Sequence, residues 1–212
     1  MLIDTLILDY GGVLSDHYCE PFQGRLAGLL GISREQTREL ISEKSHQGKL
    51  YRLDKIEKSK FWHEVMNKAH AQNLDEELLQ ELWAKTYIIN QAVLSLINYL
   101  KNELGVQIGV IMNEDKWRYE YVLKTYDLEK ETSFITASFA VGSLKPEKKI
   151  YEVALTQSGR INNPEKVLYI DDRKTHVEAA VNCGMQGYIY INAGELSRFV
   201  ETITFTPFVE IA

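Results

Sequence analysis

The sequence predicts an α/β protein in which a parallel sheet is flanked by helices and a four-helix bundle is inserted after the first strand. After residue 90, short apolar segments alternate with helical segments of about ten residues, which is typical of βαβ units. Between Ser15 and about Asn90, by contrast, the chain shows helical periodicity and no strand. We therefore expect a core domain of residues 1–14 plus 91–212 and a helical domain of residues 15–90.

Apolar runs and the breaks between them give the individual elements. The first strand covers Leu2 to Leu8, and plausible capping boxes pair Ser33 with Gln36 and Asp54 with Glu57. The predicted helices of the insert are Phe22 to Leu30, Arg34 to Ser45, Lys55 to Ala71 and Glu76 to Tyr87. The later strands are Val106 to Met112, Phe134 to Phe139, Val167 to Ile170 and Tyr188 to Ile191. The later helices are Ala92 to Leu104, Lys116 to Tyr126, Glu147 to Gln157 with Pro146 at its N1 position, Thr175 to Cys183, and Leu196 to Thr202.

Composition and charge exclude several classes of protein. The 212 residues carry a net charge of -6, which argues against nucleic acid as a partner, because nucleic acid needs a basic face. No apolar run approaches the roughly 20 residues that span a bilayer, so we expect no membrane partner. The N-terminus lacks a basic leader, and Cys19 and Cys183 match no metal-site spacing and are expected to be reduced thiols. These features favour a cytoplasmic protein.

Polar residues follow three of the predicted strands where each strand ends. The first strand runs into Asp9, the second ends at Asn113, and a later strand ends at Asp171 and Asp172. Ligands of an open parallel sheet bind at the carboxyl ends of its strands, so these side chains are expected at one site. Lys145 precedes the helix that follows the third strand and can neutralise charge there.

Several carboxylates at one sheet edge repel one another unless a cation joins them. Oxygen ligands favour Mg²⁺ or Ca²⁺ over Zn²⁺, and Mg²⁺ needs only one or two carboxylates when phosphate completes its shell. Gly11 and Gly12, directly after Asp9, allow the backbone to approach a bound anion closely. An Asp carboxylate can also accept a phosphoryl group as an acyl phosphate.

These motifs resemble those of the haloacid dehalogenase-like hydrolase superfamily. The resemblance rests on Asp-Tyr-Gly-Gly-Val-Leu from Asp9, Ile-Met-Asn ending at Asn113, Leu-Lys-Pro-Glu-Lys-Lys-Ile-Tyr around Lys145, and Val-Leu-Tyr-Ile-Asp-Asp ending at Asp172. It covers nearly the whole chain and implies a Rossmann-like core with the insert as a helical cap over the active site. The third and fourth motifs look most like the subgroup that holds sugar-1-phosphate phosphatases and the phosphatase domain of epoxide hydrolases.

The resemblance also implies an activity and a role for each motif residue. It implies a phosphatase that uses Mg²⁺ and acts on a small phosphorylated substrate. We expect either a monomer or a homodimer. The implied roles are Asp9 as nucleophile, Lys145 as the motif lysine, Asn113 as a phosphate or substrate contact, and Asp9, the Gly11 carbonyl and Asp172 as metal ligands. From the residues themselves we expect Gly12 and Lys145 to contact the phosphate, and Asp171 and His176 to lie behind the metal ligands.

Two departures from the family pattern leave alternatives open. Gly11 stands where many phosphatases of this family have an Asp that acts as general acid, and Met112 stands where a Ser or Thr normally binds the phosphoryl group. A thioether donates no hydrogen bond. The sequence therefore allows a phosphatase with weakened catalysis or a catalytically impaired binding or regulatory protein. A haloacid dehalogenase is a further alternative, although such enzymes do not need the metal or a second carboxylate beside Asp171.

Overall fold

A five-stranded parallel sheet forms the centre of the protein. The computed structural model describes residues 2–16, 20–71 and 73–209. The strands in the described residues are β1 (Leu2–Ile3), β2 (Thr5–Asp9), β3 (Ser15–Asp16), β4 (Ile88–Ile89), β5 (Gln107–Met112), β6 (Phe134–Ala137), β7 (Val167–Asp171), β8 (Gln186–Ile189) and β9 (Thr204–Phe205). The central sheet has the order β6-β5-β2-β7-β8, with every neighbouring pair parallel. The predicted fold class is confirmed.

Helices cover the sheet and build the insert. Within the described residues no helix combines the length and the apolar character needed to cross a bilayer. The helices are α1 (Glu20–Leu30), α2 (Arg34–Ile41), α3 (His46–Arg52), α4 (Lys58–Lys68), α5 (Glu76–Ala84), α6 (Gln91–Leu104), α7 (Lys116–Tyr126), α8 (Leu128–Glu131), α9 (Ser138–Val141), α10 (Lys148–Gln157), α11 (Lys174–Asn182) and α12 (Ala193–Glu201).

Alternate side chains of the central strands enter two different apolar clusters. On β2, Leu6 and Leu8 belong to one cluster, whereas Ile7 belongs to the cluster on the opposite face of the sheet. All five residues of β2 are buried, as expected for a strand covered on both faces. The apolar run that precedes Asp9 is therefore the middle of the core, and it fixes the position of Asp9 at the carboxyl edge.

The helical insert, which is called the cap below, contains five helices, α1 to α5, where the sequence predicted four. The additional helix, α3, begins after Ser45, whose side chain accepts a hydrogen bond from the Gly48 N–H. Gly48 lies within α3, where a Cβ would meet the Ser42 carbonyl oxygen at 2.0 Å. The cap helices bury an apolar cluster of their own, which includes Phe61, Trp62 and Trp83.

One of the two predicted capping boxes is present. Ser33 accepts from the Gln36 N–H, and the Gln36 side chain accepts from the Ser33 N–H. The predicted box of Asp54 and Glu57 is wrong, because α4 begins at Lys58 with Glu57 as its N-cap and no side-chain capping bond. Asp54 instead has a φ of 54° in the turn before that helix.

The prediction of no strand between residues 15 and 90 is also wrong. β3 and β4 pair antiparallel, with Ser15 opposite Ile89, and form the two connections between core and cap. Each strand has only two residues, and its partner lies more than 70 residues away, so no local pattern marks it.

The predicted first strand, Leu2 to Leu8, is interrupted at Asp4. β1 leaves the central sheet and pairs with β9, while β2 continues in the centre. The buried Asp4 carboxylate binds the buried Arg160 guanidinium, with Nε to Oδ1 at 2.9 Å and a second nitrogen to Oδ2 at 3.0 Å. This bidentate pair lies at the sheet end opposite Asp9 and has a structural role.

Candidate active site

Asp9 and Asp171 lie side by side at the carboxyl edge of the sheet. Asp9 ends β2 and Asp171 ends β7, and the two strands are neighbours in register, with Leu8 opposite Ile170. Both carboxylates are buried, with 6% and 0% of each residue exposed. Two buried carboxylates at the ends of neighbouring strands repel each other and require a positively charged partner.

The ammonium group of Lys145 is that partner. Its Nζ forms an ion pair with Asp9 Oδ1, and it lies 3.2 Å from both Asp171 Oδ2 and the Ile111 carbonyl oxygen. Lys145 reaches this position from the loop before α10, where a cis peptide joins it to Pro146. Pro146 precedes the N-cap Glu147, so the predicted N1 position of Pro146 is wrong.

Asp171 is held in one orientation by several donors. Tyr169 donates its hydroxyl to Oδ2 at 2.6 Å, and the Arg173 N–H donates to Oδ1 at 2.9 Å. His176 Nδ1 lies 3.0 Å from Oδ2. Burial acts to raise the pKa of Asp171, but the charge of Lys145 and the bond from His176 outweigh it and lower that pKa below its ordinary value. An ionised Asp171 only accepts, so Nδ1 of His176 carries the donated proton.

At Asp9, which ends β2, the effects that raise the pKa outweigh those that lower it. Burial raises the pKa of Asp9 well above its ordinary value, Lys145 lowers it, and the charges of Asp171 and Asp172 raise it. Burial also acts to lower the pKa of the Lys145 ammonium, but the charges of Asp171 and Asp9 outweigh this effect and raise it. An additional cation near Asp9 would stabilise its ionised, nucleophilic form.

The donor atoms present fit a hard divalent cation. Asp9, Asp171 and His176 offer ligand atoms within 4.8 Å of one another. The Lys145 ammonium already lies between two of these residues, so a second cation in that position is disfavoured. The predicted set of Asp9, the Gly11 carbonyl and Asp172 consists of oxygen atoms alone, which suits Mg²⁺. This ligand set stays a prediction.

Asn113 is placed beside the lysine loop. Its Nδ2 donates to the Lys145 carbonyl oxygen at 3.0 Å, and its Oδ1 accepts from the Lys145 N–H at 2.8 Å. Gly12 has a φ of 98°, a backbone conformation that glycine adopts without strain. Its N–H donates to the Ser15 carbonyl oxygen at 2.8 Å. The phosphate contacts predicted for Asn113 and Gly12 stay predictions, and in this structure those groups hold the loops around Asp9 and Lys145.

A cavity of about 400 Å³ opens above these residues. The cavity contacts the predicted site residues Asp9, Gly11, Asn113, Lys145 and His176. Gly12, Asp171 and Asp172 lie outside this lining set. Of the rest of the wall, the sequence motifs marked only Met112, and a helical pattern does not show which side chains of the insert face the core. The other wall residues are Tyr10, Glu35, Arg38, Glu39, Ser42, Glu43, Lys44, Tyr87, Glu114 and Arg173.

An ion pair joins cap and core at the rim of the cavity. A terminal nitrogen of Arg173, from the loop after β7, lies 2.7 Å from Oε1 of Glu43 in the cap. Partial burial acts to raise the pKa of Glu43, but the charge of Arg52 and the bond from Arg173 lower it from 4.5 to about 2. Glu43 is therefore ionised across the physiological range and binds the cap to the core.

We expect Glu43→Gln to lower stability at neutral pH by about 1 kcal/mol, a small value because Arg173 is partly exposed to solvent. The folded-state pKa is below the unfolded one, so the contribution of Glu43 is complete above about pH 4.5 and is lost as the pH falls toward about 2. Urea unfolding of both proteins across this range measures the difference. Glu35→Gln, in the same wall, is the matched control. A stability difference that stays constant down to about pH 3 would contradict the assignment.

Comparison with known proteins places this arrangement in a family. Residues 20–189 match the family model of haloacid dehalogenase-like hydrolases. An uncharacterized hydrolase from Schizosaccharomyces pombe is 28% identical over 132 residues, and the match spans 58% of this chain and 58% of that protein.

Solved structures share the fold. A haloacid dehalogenase family enzyme from Bacteroides thetaiotaomicron, in complex with magnesium and inorganic phosphate, has a TM-score of 0.74 at 18% identity, covering 91% of this chain and 96% of its own. The L-2-haloacid dehalogenase from Xanthobacter autotrophicus, with chloropropionic acid covalently bound, has a TM-score of 0.68 at 13% identity, covering 94% and 83%. Identities this low show the fold alone. The family match, which covers most of the chain, shows that this protein belongs to the haloacid dehalogenase-like hydrolases.

Proposed function

We propose that this protein is a Mg²⁺-dependent phosphatase that acts on a small phosphorylated metabolite through an aspartyl-phosphate intermediate. The observation that carries the proposal is the buried group of Asp9, Lys145 and Asp171 beneath a cavity of about 400 Å³. A cavity of this size fits a small metabolite. The B. thetaiotaomicron relative binds magnesium and phosphate, which supports the same ligands here.

Asp9 is the nucleophile in this proposal. One carboxylate oxygen forms a bond to phosphorus while the bond between phosphorus and the ester oxygen breaks, and the alcohol leaves with a proton from solvent. Water then attacks the acyl phosphate, releases phosphate and restores the Asp9 carboxylate. Lys145 stays protonated and stabilises the negative charge that builds up on the transferring group. Asp171 and Asn113 hold that lysine in place.

Mg²⁺ would be held by Asp9, the Gly11 carbonyl and Asp172, and when bound it supplies positive charge that attracts and polarises the phosphate ester. The residues of this chain supply the remaining chemistry. The Asp171 carboxylate already binds Lys145, Tyr169 and His176. We therefore assign the second carboxylate of the pair, Asp172, to the metal.

The glycine at position 11 favours an activated substrate. Gly11 has no proton to donate to the leaving group, and general acid catalysis typically contributes about 10²–10⁴-fold. An anomeric phosphate, as in a sugar 1-phosphate, leaves more easily than an ordinary alkyl phosphate and depends less on that acid. We therefore propose sugar 1-phosphates as the first substrate class to test.

Met112 occupies the position of the usual phosphate-binding hydroxyl, and it is 1% exposed at the end of β5. We expect Met112→Ser to raise kcat/KM for a phosphate ester, or at least not to lower it, because the hydroxyl adds a hydrogen-bond donor that the thioether lacks. Steady-state kinetics with para-nitrophenyl phosphate measures the effect, and Met112→Ala is the control for lost volume. A large loss of activity in Met112→Ser alone would mean that the thioether has a role of its own.

Hydrolysis of para-nitrophenyl phosphate with and without Mg²⁺ tests the proposed function. We expect release of para-nitrophenol that depends on millimolar Mg²⁺ and stops when the metal is chelated. Full activity in a chelator would reject the metal-dependent mechanism. Absence of hydrolysis for this ester and for a panel of sugar phosphates would favour the alternative of a catalytically impaired binding or regulatory protein.

A second candidate activity is dehalogenation, because the structural relatives include haloacid dehalogenases. In this reaction the Asp9 carboxylate would displace halide from carbon, and no metal is needed. The second carboxylate of the pair, Asp172, has no evident use in that chemistry. Chloride release from 2-chloropropionate, measured without Mg²⁺, distinguishes the two activities.

A further inference from the structure

Arg52, at the end of cap helix α3, extends its side chain from the cap into the core. Only 3% of the residue is exposed. Within the cap, one terminal nitrogen donates to the carbonyl oxygens of Ile41 at 2.7 Å and Gly48 at 3.2 Å. These bonds fix the guanidinium to the segment between α2 and α3, which forms much of the cavity wall.

The same guanidinium contacts the core at the end of β5. Its Nε donates to the Asn113 carbonyl oxygen at 3.2 Å, and its other terminal nitrogen lies 3.9 Å from Oε1 of Glu114. The Arg52 carbonyl oxygen accepts from the Ser138 hydroxyl at 2.8 Å. Arg52 is therefore anchored to the core through its backbone as well as its side chain.

Asn113 connects this contact to the proposed catalytic lysine. Its carbonyl oxygen faces Arg52, while its side-chain amide binds both the N–H and the carbonyl oxygen of Lys145. The Lys145 ammonium in turn lies between Asp9 and Asp171. A continuous path of hydrogen bonds thus leads from the cap, through Asn113, to the group that binds the nucleophile.

We propose that Arg52 is a positioning residue, which sets the location of the Lys145 ammonium through Asn113 and so couples the seating of the cap to catalysis. The inference rests on the proposed function for its effect on turnover, but the physical coupling does not depend on that function. A displacement of about 1 Å at a reacting group can cost about 10²-fold in rate. Lysine cannot replace Arg52, because its single ammonium lacks the planar set of donors that face Ile41, Gly48 and Asn113 together.

Hydrogen exchange of the Lys145 backbone amide, followed by NMR, tests the coupling without any substrate. In Arg52→Lys we expect this amide to exchange about tenfold faster relative to the amides of β2, the effect of weakening one hydrogen bond. Arg118→Lys is the matched control, since Arg118 is also buried and pairs with Glu114 at 3.4 Å but binds Thr86 rather than Asn113. Equal acceleration in both variants, or none in Arg52→Lys, overturns the proposal.

Kinetics with para-nitrophenyl phosphate then tests the effect on turnover. We expect Arg52→Lys to lower kcat about 10–100-fold with little change in KM. In an Asn113→Ala background the path is already cut, so adding Arg52→Lys should reduce kcat no further. Losses that simply multiply in the double variant overturn the proposal. If the wild-type protein hydrolyses no phosphate ester, the proposed function fails, while the exchange experiment still decides whether Arg52 controls the lysine loop.

Discussion

Asp9→Asn is expected to abolish phosphate ester hydrolysis, with a loss of kcat on the order of 10⁴-fold or more. The amide is isosteric with the carboxylate but is a far poorer nucleophile, and it cannot form the acyl phosphate. The substitution also removes one of the two acids that bind Lys145, while the ion pair with Asp171 remains. Steady-state kinetics and urea unfolding, measured on the same preparations, separate loss of chemistry from loss of folding.

Asp16→Asn is a suitable control for the Asp9 variant. Asp16 is an exposed acid in β3, the connection that leads from the Asp9 loop to the cap. We expect this control to keep its activity within about threefold, because surface substitutions usually have small effects. Turnover that is unchanged in Asp9→Asn would reject the covalent mechanism, whatever the metal dependence.

Lys145→Met is expected to remove activity and also to destabilise the fold by about 3 kcal/mol. The Lys145 ammonium is buried with Asp9 and Asp171, and removing one partner of a buried ion pair leaves an uncompensated charge. With the cation gone, burial and the charge of Asp171 both act to raise the pKa of Asp9. The loss of the ammonium therefore favours the protonated Asp9 carboxyl, which is not a nucleophile.

The matched control is Lys149→Met, the same substitution on the exposed surface of α10. Urea unfolding and hydrolysis kinetics measure both variants. We expect the control to resemble the wild type in both assays. A Lys145→Met protein that is as stable as the wild type, or that retains more than about a tenth of its activity, would be at odds with the role assigned to the ammonium.

Much of the site could be predicted from the sequence because its residues follow buried strands. The positions of Asp9 and Asp171 at one sheet edge follow from the apolar runs that precede them and from the parallel order of the strands. The helix from Lys116 to Tyr126 was also predicted with its observed bounds. In these cases the local pattern and the tertiary structure agree.

The parts that were missed depend on partners distant in the chain. The break at Asp4 reflects its pairing with Arg160, and β3 exists only because β4 lies opposite it. Arg52 has no local motif, and its importance appears only when α3 places it against Asn113. A helical pattern also does not show that Glu43 would meet Arg173 across the cavity rim. Such contacts are set by tertiary packing rather than by local propensity.

Calorimetric titration of Mg²⁺ into the wild-type protein and into Asp172→Asn tests the central claim most directly. The claim is that Asp9, at the end of β2, and Asp172, directly after β7, together bind a divalent ion. We predict saturable binding to the wild type at millimolar Mg²⁺ or below, and binding at least about tenfold weaker in Asp172→Asn, because a carboxylate ligand is lost. Absence of Mg²⁺ uptake by the wild type, or equal affinity in the two proteins, would contradict the account.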